Sequence, residues 1–396
     1  QTCALPIWNQ SAGISADGVS IRSQAATDEI IASRFEPNDS DDIVRFTYPS
    51  EEFGRDRWLM LTEDERTARE KVGRNCDLRL GNEDEFTVGS PLKTGRRPLL
   101  QADVLEESDE EFVIENKRIA GAVKKGVWKR TITADHTQRW SLSPPDEVTF
   151  FPYETTNGKY ELIDEDTFES DYEKTYEMLE EHKDDLLSRK DSRQTWKQLG
   201  RPWYALVRYG SPEYFERTKI VTDMVVNDPC FCLDTDGCLF ETGATHGITP
   251  HNIDPYYLIG LLNSQVIFSY LKPICSPMDR GYMKIEGDHL KMTPIYRPEI
   301  TDEDCQRAAE VIERHREEFG ELNARIRAEG VSSIVSADVD EKKMAANMIR
   351  ELAERLVTEF DAFSSEEIAD LERLNDYLVG RLFNLEEDEV DALANI

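Results

Sequence analysis

The sequence predicts an α+β protein: a β-rich module with packed helices, followed by an all-α C-terminal region. Three observations predict it. Between Phe86 and Tyr153, short apolar pieces alternate with turn signals (FTVG, PLLQADVL, EFVIE, VTFFPY), the pattern of several short strands at close spacing. From Thr301 onward, apolar residues recur at helical spacing in long charged segments. With 396 residues and 39% hydrophobic content, the chain can hold two or three cores and is too apolar for a disordered polyelectrolyte.

Charge narrows the setting. Asp and Glu number 80 against 47 Lys and Arg, a net charge of −33. Such acidity on a folded chain is expected of a salt-loving host, where it keeps proteins in solution. No apolar run approaches the ~18–20 residues that span a membrane. The longest, Tyr256 to Tyr270, is interrupted by Gly260, Asn263, Ser264 and Gln265. No membrane partner is expected. Seven cysteines in a chain of this length do not make a disulfide framework, and no signal-peptide pattern is present. A cytoplasmic location with reduced thiols is expected.

Taken in order, residues 1–7 (QTCALPI) resemble the translation of a sequencing adapter and are expected to be an artefact, with the true protein extending upstream. Residues 8–85 read as the end of a preceding domain or a bridge. They hold a helical spacing over 20–35, a strand or turn-strand over 53–61, and a charged helix over 62–74. Thr62 is a cap for that helix, with Glu65 three residues on. Residues 86–300 form one β-rich region. Within it, Asp171 to Arg189 is expected as one amphipathic helix, with Tyr172, Tyr176, Leu179 and Leu186 on its apolar face. Two strands flank Asp236-Gly237, a hairpin signal, and a loop with His246 and His251 follows. An apolar helix starts at Asp254-Pro255 and runs to about residue 271. Residues 301–396 are helical: 301–328 behind a Thr301 cap, 342–360, 364–382, and a short turn at 385–393.

Cations concentrate in three places on this acidic background: residues 93–97, residues 117–130, and Arg193 to Lys219. Duplex DNA is bound by cancelling phosphate charge, and base edges are read by Arg, Lys, Asn and Gln. The alternative for each cluster is pairing with the surplus carboxylates. Cys230, Cys232 and Cys238 with His246 lack the two-residue knuckle of a zinc site and read as buried structural thiols.

Several segments occur in a telling order. They are GSPLKTG (89–95), FFPY (150–153), DLLSRK (185–190), WKQLGRPWYALVRYG (196–210), SPEYFERTKIV (211–221), PYYLIGLLNSQVIFSYLK (255–272) and RGYMKIEGDHLKMTPIYRP (280–298). Together they resemble the TaqI-like C-terminal specificity domain. That domain is the target-recognition part of adenine-specific DNA methyltransferases and type IIG restriction-modification enzymes. The ending LNDYLVGRLFNLEEDEVDAL (374–393) is similar to the family's terminus.

The resemblance implies a DNA-recognition fragment whose partners are double-stranded DNA and an upstream methyltransferase domain. S-adenosylmethionine is then the parent's cofactor, with none expected in the fragment, which alone is expected to be inactive. The parent could also cleave DNA. The chain itself supports the division of labour, because a methyltransferase needs a glycine-rich cofactor turn and a Pro-Pro-aromatic loop against the flipped base. Ser143-Pro144-Pro145 comes near, but Asp146 stands where the aromatic belongs, and Asn227-Asp228-Pro229-Cys230 fails likewise. Two rival readings are a stand-alone specificity subunit, and an acidic interaction module or mimic of DNA charge.

The DNA contacts expected are Lys93, Thr94, Arg96 and Arg97 in the first cluster, and Lys124, Lys125 and Lys129 in the second. Arg201, Tyr204, Arg208 and Arg280 complete the set, while Trp203 is expected in the core. Lys124, Lys125 and Lys129 suit phosphates as flexible point charges. Arg96 and Arg97 suit bidentate contact with guanine.

Overall fold

The computed structural model describes residues 61–394 except 91, 192, 242, 317 and 335–339, together with three short strands before residue 50. Those strands, Leu5–Pro6, Ser15–Ile21 and Ile43–Pro49, form one antiparallel sheet. Ser20 and Ile21 thus belong to a strand rather than the expected helix; its residues 22–35, and the expected turn-strand over 53–60, lie outside the described residues. The chain divides into two compact units. A helical unit comprises 1–82, 225–229 and 256–396; a β-rich unit comprises 83–224 and 230–255.

The β-rich unit has two main sheets. The larger has six strands in the order Leu239–Phe240, Trp128–Ile132, Glu147–Phe150, Gln101–Glu107, Glu111–Glu115, Ala120–Lys124. All its pairs are antiparallel except the first. The smaller has four antiparallel strands in the order Phe231–Asp234, Lys219–Asp223, Thr245–Pro250, Phe86–Gly89. Glu111–Glu115 alternates as a one-sided strand should, burying Phe112 and Ile114. Lys219–Asp223 is buried at four of its five positions.

Asp236-Gly237 does not make the expected hairpin. Gly237 takes a φ of +76°, but the strands on either side do not pair: Phe231–Asp234 stays in the smaller sheet and Leu239–Phe240 crosses to the larger. The Asp234 carboxylate builds this crossing. It accepts the N–H groups of Asp236 (3.0 Å) and Cys238 (3.0 Å) and is paired with Lys219. The true hairpin is Tyr153–Thr156 with Lys159–Leu162, turned by Asn157-Gly158 at φ +51° and +73°.

The amphipathic segment ending at Arg189 is three short helices, Glu165–Asp171, Glu173–Glu180 and Lys183–Leu187. The backbone leaves the helical region at Tyr172 and His182. These breaks let Phe168, Tyr176, Trp203 and Tyr204 meet in one aromatic cluster, with ring centroids 5.0–6.1 Å apart. Trp203 is a core residue, as expected, and its indole N–H donates to Glu165 (2.7 Å).

Asp223 gives this unit a pH dependence. Its carboxyl is pushed up to about 6 by burial, against the Thr137 hydroxyl that donates to it. A raised carboxyl stabilises the fold below its unfolded pKa, and that contribution is lost as pH rises through the folded value. Stability relative to Asp223→Asn should therefore decline between about pH 4 and about 6. Urea midpoints across that range check this; parallel curves for the two proteins would contradict it.

In the helical unit, capping follows the sequence closely. Thr62 and Glu65 form a reciprocal capping box on Glu63–Arg74, and Ser364 and Glu367 do so on Ser365–Leu382. Thr301 caps Asp302–Arg314. The long helix expected over 301–328 breaks at His315 and resumes as Phe319–Glu329, which buries Phe319 against Phe363 (6.4 Å). The apolar helix expected over 255–271 also divides. Ser264, in extended conformation, accepts the Ile267 N–H and starts Gln265–Leu271 anew after Pro255–Leu262. Asn375 donates to the Gly260 carbonyl (2.8 Å), joining Ser365–Leu382 to Pro255–Leu262. Among the described residues no helix is long and apolar enough to cross a membrane.

Candidate nucleic-acid interface

The first two basic clusters are largely spent on carboxylates. Arg96 donates to Asp185 (2.8 Å) and to Ser188 (3.0 Å), and Arg118 reaches the other oxygen of Asp185 (3.2 Å). Burial would raise the Asp185 carboxyl, but the two guanidinium groups outweigh it and hold it below its ordinary value. Arg97 lies 3.5 Å from Glu147 and 4.0 Å from Glu241. Lys125 (2.5 Å) and Arg130 both bind Glu107, whose carboxyl the Lys125 hydrogen bond, with help from Arg130, holds low. Lys124 sits over the Tyr172 ring (5.2 Å) and Lys129 over Phe151 (5.1 Å). Burial lowers the Lys129 ammonium below its ordinary value.

Two expected contacts are core residues. Tyr204 is 2% exposed and its hydroxyl donates to the Ile163 carbonyl (2.8 Å). Thr94 is 1% exposed and its hydroxyl donates to Glu241 (2.7 Å). Both leave the set of candidate DNA contacts, because a buried side chain whose hydroxyl is already bonded has nothing to offer a groove.

The third cluster, Arg193 to Lys219, divides. Its end is not available to a ligand, because Lys219 is a core residue paired with Asp234. Its first part, taken with the residues just before it, differs from the other clusters: between Leu186 and Gly210 the chain carries Arg189, Lys190, Arg193, Lys197, Arg201 and Arg208 against a single acid, Asp191. Lys190, Arg193, Lys197, Arg201 and Arg208 are exposed. None of these five has an ion pair among the described residues, and Arg201 only approaches the Trp196 ring (5.7 Å). Arg208 is the direct cross-strand partner of Lys93 in the antiparallel pair Leu92–Lys93 and Arg208–Tyr209. Lys93 also has no ion pair among the described residues. Two like charges placed opposite each other destabilise a ladder, and in a chain with 80 acids that arrangement points to an anion supplied from outside.

Buried Arg189 holds these pieces together. Its guanidinium is 2% exposed and donates to the carbonyls of Leu186 (2.7 Å), Thr94 (3.0 Å), Trp203 (2.6 Å) and Ala205 (3.0 Å). Burial brings its pKa down to about 10, so it stays charged at neutral pH. One side chain thereby fixes the 93–97 turn, the end of the last short helix and the 203–205 segment. This is the arginine of the DLLSRK motif, for which the sequence alone assigns no role, because its four carbonyl partners come together only in the fold. Gly95 completes the joint at φ +76°, where an added Cβ would lie 2.6 Å from Val207 and 3.3 Å from Arg189. Gly95→Ala should cost about 1–3 kcal/mol of stability, read as a lower urea midpoint; an unchanged midpoint would mean the joint tolerates side chains.

Arg280 lies in the helical unit, at the exposed tip of the hairpin that ends in Met283–Lys284, with φ +61°. A cleft of about 610 Å³ in the β-rich unit is lined by Lys129, Arg130, Pro144, Pro145, Asp236 and neighbours. Ser143-Pro144-Pro145 is a structural turn there: Pro145 accepts from Arg130 (2.6 Å), and Asp146 is hydrogen-bonded to His136 (2.8 Å). Cys232 and Cys238 are buried, which pushes the Cys238 thiol up to about 12. Among the described residues no group of three His, Cys, Asp or Glu is placed to hold a metal.

Comparison with known proteins bears on the same stretch. Residues 169–295 match the family model of the TaqI-like C-terminal specificity domain. That stretch is similar to such a specificity domain. The matched residues include the exposed cations from Lys190 to Arg208 and the buried Arg189 beneath them, and they draw on both units. A solved structure of the type IIG restriction endonuclease BpuSI is similar at a TM-score of 0.40 and 12% identity, over 96% of this chain and 41% of that one. This chain thus spans well under half the length of that enzyme. No curated protein matches the chain.

Proposed function

We propose that the chain is the sequence-recognition part of an adenine-specific DNA methyltransferase of a restriction-modification or defence system, and that it binds duplex DNA through the face around Arg189. The observation that carries this is the set of cations without carboxylate partners among the described residues, Lys93, Lys190, Lys197, Arg201 and Arg208, inside or beside the matched specificity domain. A net charge of −33 does not forbid it. The Debye length is about 8 Å at physiological ionic strength, so a phosphate on this face feels its own neighbours more than distant acids. Arg96, Arg97, Lys124, Lys125 and Lys129, with carboxylate or ring partners already, take a lesser part.

On this reading an upstream domain supplies the methyl-transfer chemistry with S-adenosylmethionine, and the whole protein works in the cytoplasm. The acidic remainder suits a host of high internal salt. The test is binding of a labelled DNA duplex by the full chain across a KCl series. Binding that weakens linearly in log–log form is expected. No retention of duplex even at low salt would end the proposal.

A further inference from the structure

Within the run of exposed cations lies a short hairpin, of which the phosphate account uses only Lys190. Lys190–Asp191 pairs antiparallel with Gln194–Thr195, Lys190 opposite Thr195 and Asp191 opposite Gln194. Asp191, Arg193 and Gln194 are exposed, and their side chains have no hydrogen-bond or ion-pair partner among the described residues. The base of the hairpin is anchored. Trp196 N–H donates to the Arg189 carbonyl (2.7 Å) and Lys197 N–H to the Leu187 carbonyl (3.1 Å). Thr195 N–H donates to the Gln198 side chain (2.8 Å), and Gln198 N–H donates back to the Thr195 hydroxyl (3.2 Å).

We propose that the paired strands Lys190–Asp191 and Gln194–Thr195 enter the major groove as a two-stranded ribbon and that Arg193 and Gln194 read base edges there. The inference rests on the DNA-binding reading above and assigns its sequence-reading element. The major groove admits a two-stranded β-ribbon. Arg pairs with guanine O6 and N7, Gln with adenine N6 and N7, and Asp accepts from cytosine N4. Asp191 decides between reading and clamping. It is the single acid from Leu186 to Gly210, and in a purely phosphate-binding hairpin it would repel the ligand. Opposite Gln194 on one face of the ribbon, it suits a base-edge donor such as cytosine N4. Lys190, Lys197 and Arg208 then serve the backbone on either side, and the anchored base supplies the rigidity that base reading requires.

The experiment is selection and sequencing from a randomised DNA duplex library with the full chain, its Arg193→Ala, Arg193→Lys and Gln194→Ala variants, and Lys197→Gln/Arg201→Gln/Arg208→Gln. The wild type should enrich a motif. Arg193→Ala and Gln194→Ala should each lose preference at one or two positions, by about 5- to 150-fold, while still retaining unselected duplex. Arg193→Lys should behave like Arg193→Ala, since it keeps the charge and loses the fork. The triple variant should lose retention of all sequences alike. If the hairpin variants enrich the wild-type motif unchanged, or lose all sequences equally, the hairpin proposal is overturned and DNA binding stands. If the wild type retains no duplex, the functional reading itself fails.

Discussion

Replacing Lys219 with methionine is expected to destabilise the β-rich unit by about 3–5 kcal/mol. Lys219 is 0% exposed and Asp234 is 1% exposed. The ammonium donates to the Phe215 carbonyl (3.0 Å) and is paired with the Asp234 carboxylate. Methionine fills much of the same space but leaves a buried carboxylate held by neutral groups alone, the N–H groups of Asp236 and Cys238 and the Cys238 thiol. That carboxylate organises the crossing between the two sheets, so the damage reaches both. Removing the two partners together is far less costly than removing one, because no charge is then stranded. Lys219→Met/Asp234→Leu should therefore recover part of the loss, although the turn N–H groups go unmet. Urea unfolding followed by tryptophan fluorescence reports it, since Trp128, Trp140, Trp196 and Trp203 all lie in this unit. A loss below about 1 kcal/mol for the single variant would mean that water reaches the site, contrary to the burial described.

The second large effect concerns DNA. Lys197→Gln/Arg201→Gln/Arg208→Gln should not destabilise the fold, because all three side chains are exposed and carry no ion pair among the described residues. Each phosphate contact contributes about 0.9 to the slope of log affinity against log salt. Three lost contacts should flatten that slope by about 2.7 and weaken binding at low salt by roughly two orders of magnitude. A matched unfolding curve separates this from loss of structure. Full-strength binding by the triple variant would remove this face from the account.

Local chemistry was the legible part of the sequence. Thr62 with Glu65, Ser364 with Glu367, and Thr301 announce helix starts because a cap and its partner lie three residues apart. Asn157-Gly158 is as legible a hairpin signal as Asp236-Gly237, and it is the one that turns a paired hairpin. The latter turns as a glycine turn should, yet its strands belong to different sheets, which local sequence does not encode. Helix continuity was overestimated at Tyr172, Ser264 and His315. In each case tertiary packing or a side-chain cap broke a segment whose periodicity ran through. The candidate site suffered most from distance. Arg96 and Arg118 look free in the sequence, but their shared carboxylate lies 89 and 67 residues away. Tyr204 looked available because a Trp-Tyr pair suits both a core and a base stack, and only the aromatic cluster decides. Charge density was readable; which charges are already neutralised was not.

The central claim is that the cations around Arg189, rather than those paired with Asp185, Glu107 and Tyr172, bind the phosphate backbone. It is tested most directly by the salt dependence of duplex binding for two triple variants measured side by side. The account predicts that Lys197→Gln/Arg201→Gln/Arg208→Gln flattens the slope by about 2.7, while Arg118→Gln/Lys124→Gln/Lys125→Gln changes it by less than about 1. The reverse order, with the second variant flattening the slope and the first leaving it intact, would contradict the account.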